Sequence, residues 1–128
     1  MTDYTCDVLI LEDNPISQKH IGKVMPEGAN CKYTGSVLEF IEFFGLGGKA
    51  KLYLMDDRVP FSQGDLPSPQ FIANCGTLYS KHPDAKVFYN GSCPGLNEEI
   101  FCNDHGIEIL SEKGIFELGE IVERELRG

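Results

Sequence analysis

Short apolar runs alternate with amphipathic segments along the whole chain. Each run spans only three or four residues, which is too short for a helix and suits a strand. The predicted strands are residues 8–11, 31–34, 52–55, 87–89 and 107–110. A helix-forming segment follows each of them, and the mixed polarity of the second run suits an edge strand. Five strands that alternate with five helices predict an α/β domain with a parallel sheet that has helices on both faces.

Capping signals predict where three of the helices begin. Each signal contains a short polar side chain that can cap a helix. In two of them a proline follows, and proline suits the first helical turn. In the third a glutamate follows three residues later, as in a capping box. The three signals are Asn14 with Pro15, Ser36 with Glu39, and Ser68 with Pro69. Pro26 ends the first helix, because the residue before a proline avoids the helical conformation.

Apolar spacing predicts which helix faces are buried. The predicted core positions are Val37, Ile41 and Phe44 in the second helix, Phe71, Cys75 and Leu78 in the third, and Ile115, Leu118 and Val122 in the last. The fourth helix is predicted at residues 96–101.

Length and charge limit what the chain does. Its 128 residues predict a single domain spanning residues 1–128. A net charge of −9 argues against nucleic acid and against an anionic membrane surface, and favours a protein or a cation as partner. No apolar run is long enough to span a membrane, and the first residues show no secretory signal. Five cysteines without a Cys-x-x-Cys pair then predict free thiols and a cytoplasmic location.

Two of the predicted strands end in paired acids. Glu12 and Asp13 follow the first strand, and Asp56 and Asp57 follow the third. In a doubly wound, flavodoxin-like sheet of order 2-1-3-4-5, ligands bind where the carboxyl ends of these two strands meet. Carboxylates that share a crevice repel one another unless a cation lies among them, and oxygen ligands favour Mg²⁺ or Mn²⁺. The alternative is that these acids are solvated strand ends that face different ways.

The chain resembles the receiver domains of response regulators in two-component signalling. The resemblance covers essentially the whole sequence and is best in "VLILEDNP" (residues 8–15) and "LMDDRVPFSQG" (residues 54–64). Receivers carry an acidic pair after the first strand and a phosphoacceptor aspartate after the third, with a proline four and a glycine eight residues later. Asp56, Pro60 and Gly64 match that spacing. "KHPDAKVFYN" (residues 81–90) is similar to the approach to the family's fourth strand.

The resemblance implies a role for each matched position. Asp56 would accept a phosphoryl group from a phosphohistidine. Glu12, Asp13 and Asp56 would hold Mg²⁺ or Mn²⁺ together with the backbone carbonyl of Arg58. Asp57 has no role in the family and is interpreted as a surface acid beside the site.

Two positions depart from the family pattern. Asn90 stands where receivers carry Ser or Thr at the end of the fourth strand, and Ser92 would substitute if the turn shifted. At the family's lysine place the alignment puts Glu112, with Lys113 one residue late. Lys113 would reach Asp56 only if the strand carried a bulge, and the favoured expectation is that Glu112 holds the place and weakens switching. The family's aromatic switch position corresponds to Ile109.

Three functions remain open at this point. The first is a receiver that is phosphorylated by a histidine kinase or phosphotransfer protein and acts on an output domain or target protein. The second is a degenerate receiver that binds proteins without switching. The third, an Mg²⁺-dependent aspartyl-phosphate phosphatase, is disfavoured because Arg58 stands where such enzymes usually carry a second aspartate. In the first two cases the expected partner face includes Leu96, Ile100, Ile109 and the acidic residues near 117–125.

Overall fold

The computed structural model of this protein describes residues 3–110 and 115–127, except for the side chains of residues 115 and 116. The elements in chain order are β1 (Cys6–Leu11), α1 (Pro15–Val24), β2 (Cys31–Thr34), α2 (Val37–Gly45), β3 (Ala50–Met55), β4 (Arg58–Val59), β5 (Ser68–Pro69), α3 (Phe71–Lys81), β6 (Val87–Tyr89), α4 (Leu96–His105), β7 (Glu108–Ile109) and α5 (Ile115–Arg127).

Five of the strands form one parallel sheet in the order β2-β1-β3-β6-β7. This is the predicted order 2-1-3-4-5, with β4 and β5 counted between the third and fourth strands. The flavodoxin-like α/β fold is therefore confirmed, including the place of β2 at an edge. The strand order reverses beside β1, so the carboxyl ends of β1 and β3 flank the switch point of the sheet.

The short strands β4 and β5 form a separate antiparallel ribbon, in which Arg58 pairs with Pro69 and Val59 pairs with Ser68. The prediction that Ser68 and Pro69 begin a helix is wrong. The helix α3 begins at Phe71, and its N-cap residue Gln70 makes no side-chain cap hydrogen bond. A serine followed by a proline is compatible with an extended backbone as well as with a helix start, and pairing with β4 decides between them.

The other two predicted capping residues, Asn14 and Ser36, do cap their helices. Asn14 Oδ1 accepts hydrogen bonds from the amides of Ile16 and Ser17, as predicted for the N-cap of α1. At the start of α2, Ser36 Oγ accepts from the Glu39 amide at 3.2 Å. The Glu39 carboxylate accepts from the amide of Gly35 and not from that of Ser36, so only half of the predicted capping box forms.

Helices pack on both faces of the sheet. One face packs mainly against α2, α3 and α4, and the other against α1 and α5. Side chains alternate between the two along each central strand, as a parallel sheet buried on both faces requires. The first face receives Leu9, Leu11, Tyr53, Met55 and Tyr89, and the second receives Val8, Ile10, Leu52, Leu54 and Phe88.

The core face of α2 differs from the predicted one. Val37, Phe40 and Phe43 are buried, Phe44 packs against the core, and Ile41 is 44% exposed. Counting from Val37, apolar residues stand at both the i+3 position (Phe40) and the i+4 position (Ile41). The apolar spacing is therefore compatible with burial of either of two neighbouring helix faces. The core face of α3 is as predicted, and Leu118 and Val122 of α5 are buried as expected. The side chain of Ile115, the third position predicted for α5, lies outside the described part of the chain.

Helices α1 and α5 lie side by side at a glycine. A Cβ atom at Gly119 would lie 2.4 Å from the carbonyl oxygen of Val24. This close approach explains why a glycine interrupts the apolar face of α5.

Glu112 and Lys113, which decide the predicted lysine place, lie outside the described residues. All five cysteines are free thiols, as predicted. Within the described ranges, no helix combines the length and the apolar composition that a bilayer crossing needs.

Candidate metal and phosphoacceptor site

An open cleft of about 490 Å³ lies at the carboxyl ends of β1, β3 and β6. Residues that directly follow these strands line it, because parallel strands bring their carboxyl ends to the same edge of a sheet. The polar residues at the strand ends are Glu12, Asp13, Asp56, Asp57, Arg58 and Asn90. The structure thus brings together all the predicted site residues that it describes.

Glu12, Asp13 and Asp56 form one cluster. Each can offer a carboxylate oxygen, and the three oxygens lie within 4.8 Å of one another. Glu12 is 8% exposed, and its Oε2 accepts a hydrogen bond from the Asn14 amide at 3.2 Å. Oxygens at this spacing surround a space that a small divalent cation can occupy.

Burial makes the cluster electrostatically unfavourable without a cation. Desolvation, together with the nearby charge of Asp56, raises the pKa of Glu12 to about 8. Desolvation also raises the pKa of Asp56, although its Oδ1 accepts a hydrogen bond from the Asp57 amide at 2.8 Å. Both shifts mean that the site disfavours several negative charges at once, and a divalent cation would remove that cost.

Asp57 is not the surface acid that the sequence suggested. Its side chain is half-buried, and burial followed by the charge of Glu98 raises its pKa. Its buried Oδ1 and the buried hydroxyl of Tyr89 make no hydrogen bond of normal geometry among the described residues. The Tyr89 hydroxyl nevertheless lies near enough to the Asp57 carboxylate to oppose part of that rise in pKa. The Asp57 carbonyl accepts from the Gln70 amide at 2.8 Å, which ties the end of β3 to the start of α3.

Tyr89 is a site residue that the sequence reading missed. It is fully buried at the end of β6, yet it contributes to the lining of the cleft. Its hydroxyl lies close to Gly91, where a Cβ atom would approach to 2.7 Å. The sequence does carry a feature that indicates this role, because Tyr89 is the last residue of a predicted buried strand and directly precedes the crevice. A buried phenol needs a polar partner, and the crevice is where one would be found.

Asn90 stands beside Asp56 at the ends of neighbouring strands. Met55 pairs with Tyr89, and the Asn90 amide donates to the Met55 carbonyl at 2.8 Å. Asn90 and Ser92 both line the cleft. Leu110, the last described residue before residues 111–114, also lines the cleft.

Comparison with known proteins identifies the fold. A scan against protein-family models finds no matching model, and a search of curated proteins finds no match. Solved structures do match. A CheY-like response regulator receiver domain protein from Methanospirillum hungatei JF-1 has a TM-score of 0.74 at 15% identity, over 95% of this chain and 94% of that one.

Two further structures agree with the first. A two-component response regulator from Legionella pneumophila has a TM-score of 0.75 at 17% identity, over 96% of this chain and 98% of that one. An orphan response regulator of H. pylori has a TM-score of 0.68 at 19% identity, over 98% and 100%. At these identities the likeness concerns the fold, and it extends over nearly the whole of each chain. The chain therefore has the fold of the receiver domains of response regulators.

Proposed function

We propose that this protein is a receiver domain of two-component signalling that accepts a phosphoryl group on Asp56. The observation that carries the proposal is the cluster of Glu12, Asp13 and Asp56 at the switch point of a sheet with the receiver strand order. A nucleophilic carboxylate needs a cation beside it to meet a phosphate dianion, and the same cluster offers both the nucleophile and the cation ligands.

The donor set fits Mg²⁺ or Mn²⁺. Three carboxylate oxygens are available, and hard divalent cations prefer oxygen ligands while keeping some bound water. The Arg58 carbonyl is the fourth proposed ligand. The Asp57 carbonyl already accepts a hydrogen bond from the Gln70 amide. Carbonyls alternate in direction along an extended backbone, so the next carbonyl, that of Arg58, is expected to face away from β5 and to be free for a metal ion.

The proposed reaction is a simple displacement. A carboxylate oxygen of Asp56 attacks the phosphorus of a phosphohistidine, and a P–O bond forms while the P–N bond breaks. The electron pair of the broken bond remains on the imidazole nitrogen, which takes up a proton. Bound Mg²⁺ would offset the negative charge on the phosphoryl oxygens.

Asn90 would contact the phosphoryl group in an unusual way. Its amide nitrogen can donate a hydrogen bond to a phosphoryl oxygen, as a hydroxyl would, but the planar amide is larger than a hydroxyl. Lys113 remains the proposed cationic partner if the 111–114 segment brings it to the cleft, and Glu112 would oppose phosphorylation there. These departures support an atypical switch.

A histidine kinase or a phosphotransfer protein would supply the phosphoryl group, and an output domain or target protein would respond to it. Asn90 also supports the second candidate, a degenerate receiver that binds proteins without phosphorylation switching. The two candidates differ in whether Asp56 is modified.

A phosphorylation assay separates the two candidates. The protein is incubated with acetyl phosphate and Mg²⁺, and intact mass is measured. We expect the mass of one phosphoryl group on the wild type and on Asp104→Asn, an exposed control on α4, and no addition on Asp56→Asn. Failure of the wild type to gain mass while it still binds Mg²⁺ would favour the degenerate receiver.

A further inference from the structure

A second pocket, with five basic residues in its lining, lies at the opposite end of the sheet. Its volume is about 210 Å³, and it lies where β1, β3 and β6 begin. The basic residues that line it are Lys49, Lys51, Lys81, His82 and Lys86. The strands run parallel, so this pocket lies at the amino edge of the sheet and the Asp56 cleft at the carboxyl edge.

The pocket is unusual for a chain of this charge. The protein has 11 Lys and Arg residues against 20 Asp and Glu, and four of its lysines line this one pocket. Asp84 is the one acidic residue among the described residues that line it. A local excess of positive charge on a protein with a net charge of −9 marks a place where anions concentrate.

The four lysines do not contribute equally. Lys51 forms an ion pair with Asp7 at 3.2 Å, and the Lys86 ammonium lies over the ring of Phe88 at 5.6 Å from its centroid. Lys49 makes a similar contact with the Tyr4 ring at 5.5 Å. Within the described part of the chain, neither Lys49 nor Lys81 forms an ion pair with a carboxylate, so both ammonium groups are available to a ligand.

We propose that this pocket binds a compact, multiply charged phosphate anion, such as a phosphate ester or a short polyphosphate. Lys49 and Lys81 are its principal contacts, and Lys86 adds to the positive potential, whereas the charge of Lys51 is offset by Asp7. The size of the pocket argues for a compact ligand, because it is below the roughly 300 Å³ at which pockets for drug-sized molecules begin. Several lysine side chains around so small a space can match several negative charges on one small group.

Triphosphate binding provides the test. Inorganic triphosphate is titrated into the protein without Mg²⁺ at fixed ionic strength, and amide shifts and calorimetric heat are followed. We expect saturable binding, with the largest shifts near Lys49 and Lys81. The double variant Lys49→Gln/Lys81→Gln should weaken binding about tenfold, as two contacts at roughly 0.7 kcal/mol each would give.

Two control variants make the test specific. Lys19→Gln/Lys23→Gln removes the same charge from exposed positions of α1, and Lys23 matches Lys81 in lying in the last turn of a helix. This control should bind within twofold of the wild type. Asp84→Asn should bind about two- to threefold more tightly, because it removes the acid from the lining. A gain in affinity cannot be produced by partial unfolding.

Three results would overturn the proposal. The first is an absence of saturable triphosphate binding. The second is equal weakening of triphosphate binding in the two double variants, which would show that only the net charge of the protein matters and not the pocket. The third is binding of a Glu-rich peptide, but not of triphosphate, at the same residues, which would make the ligand a protein segment. None of these outcomes depends on Asp56, so the proposed phosphoacceptor function is tested separately.

Discussion

At the scale of single residues, the site combines burial with negative charge. Glu12 is almost completely buried, and the pKa values of both Glu12 and Asp56 are raised by desolvation. Asp57 adds a half-buried carboxylate whose Oδ1 makes no hydrogen bond of normal geometry among the described residues. The free energy of this arrangement depends on which cation or proton offsets the negative charge, so the proposed metal binding can be tested by measuring stability.

Mg²⁺ should stabilise the protein through the Glu12, Asp13 and Asp56 cluster. A ligand that binds only the folded state at ten times its Kd adds about 1.4 kcal/mol, or roughly 5 °C in Tm for a domain of this size. We expect Asp13→Asn to lose most of this rise and Asp104→Asn to keep it. Thermal unfolding is followed by circular dichroism with and without millimolar Mg²⁺. An equal rise in wild type and Asp13→Asn would contradict the proposed ligand set.

At the scale of secondary-structure elements, long-range packing decides features that the local sequence leaves open. Ser68 and Pro69 extend into a ribbon with β4, although their order along the chain also suits a helix start. The core face of α2 is set by Phe40 and Phe43, and not by Ile41. Helix α5 approaches α1 closely because Gly119 has no side chain.

The space around two helical glycines, one in α5 and one in α3, predicts opposite effects of replacing them by alanine. Gly119→Ala places a Cβ atom 2.4 Å from the Val24 carbonyl oxygen, so the helices must move apart, at a cost of about 1–3 kcal/mol. Gly76→Ala, inside α3 with nothing within 4 Å of its Cβ position, should stabilise the protein by about 0.5–1 kcal/mol. Urea unfolding measures both. Stabilisation by Gly119→Ala would show that the close approach is absent in solution.

At the scale of the whole molecule, charge separates the two ends of the sheet. The acidic cluster lies at the carboxyl edge, and the lysine-rich pocket lies at the amino edge. The predicted partner face carries two exposed apolar side chains on α4, Leu96 at 72% and Ile100 at 52% exposed. Two such residues form only a small apolar surface, whereas stable interfaces bury far larger areas.

The unphosphorylated protein should therefore be a monomer. A net charge of −9 makes two copies repel each other, and the exposed apolar surface on α4 is too small to overcome this repulsion. Light scattering at micromolar to near-millimolar concentrations should give the monomer mass of 14.2 kDa, with repulsion that weakens as salt increases. A stable dimer at micromolar concentration without phosphodonor would contradict this expectation.

Most of the fold follows from local patterns in the sequence. The second and fourth strands of the sheet coincide with their predicted ranges, and the N-cap of α1 and the end of α2 at Gly45 lie where expected. These features depend on interactions within a few residues, such as Asn14 with the first amides of its helix. The sequence also predicts that the acids at the ends of β1 and β3 lie at one edge of the sheet, because parallel strands align their carboxyl ends.

The remaining features depend on contacts between residues far apart in the chain. The sequence predicts Asp56 in the cleft, and by itself it suggests that the neighbouring Asp57 is a surface acid. The tertiary structure buries Asp57 Oδ1 and brings Glu98, from α4, close enough to raise the pKa of Asp57. The lysine-rich pocket likewise joins the start of β3 to the end of α3, although Lys49 and Lys81 lie 32 positions apart in the sequence. Burial and electrostatic environment are properties of packing, and for that reason only the folded chain determines them.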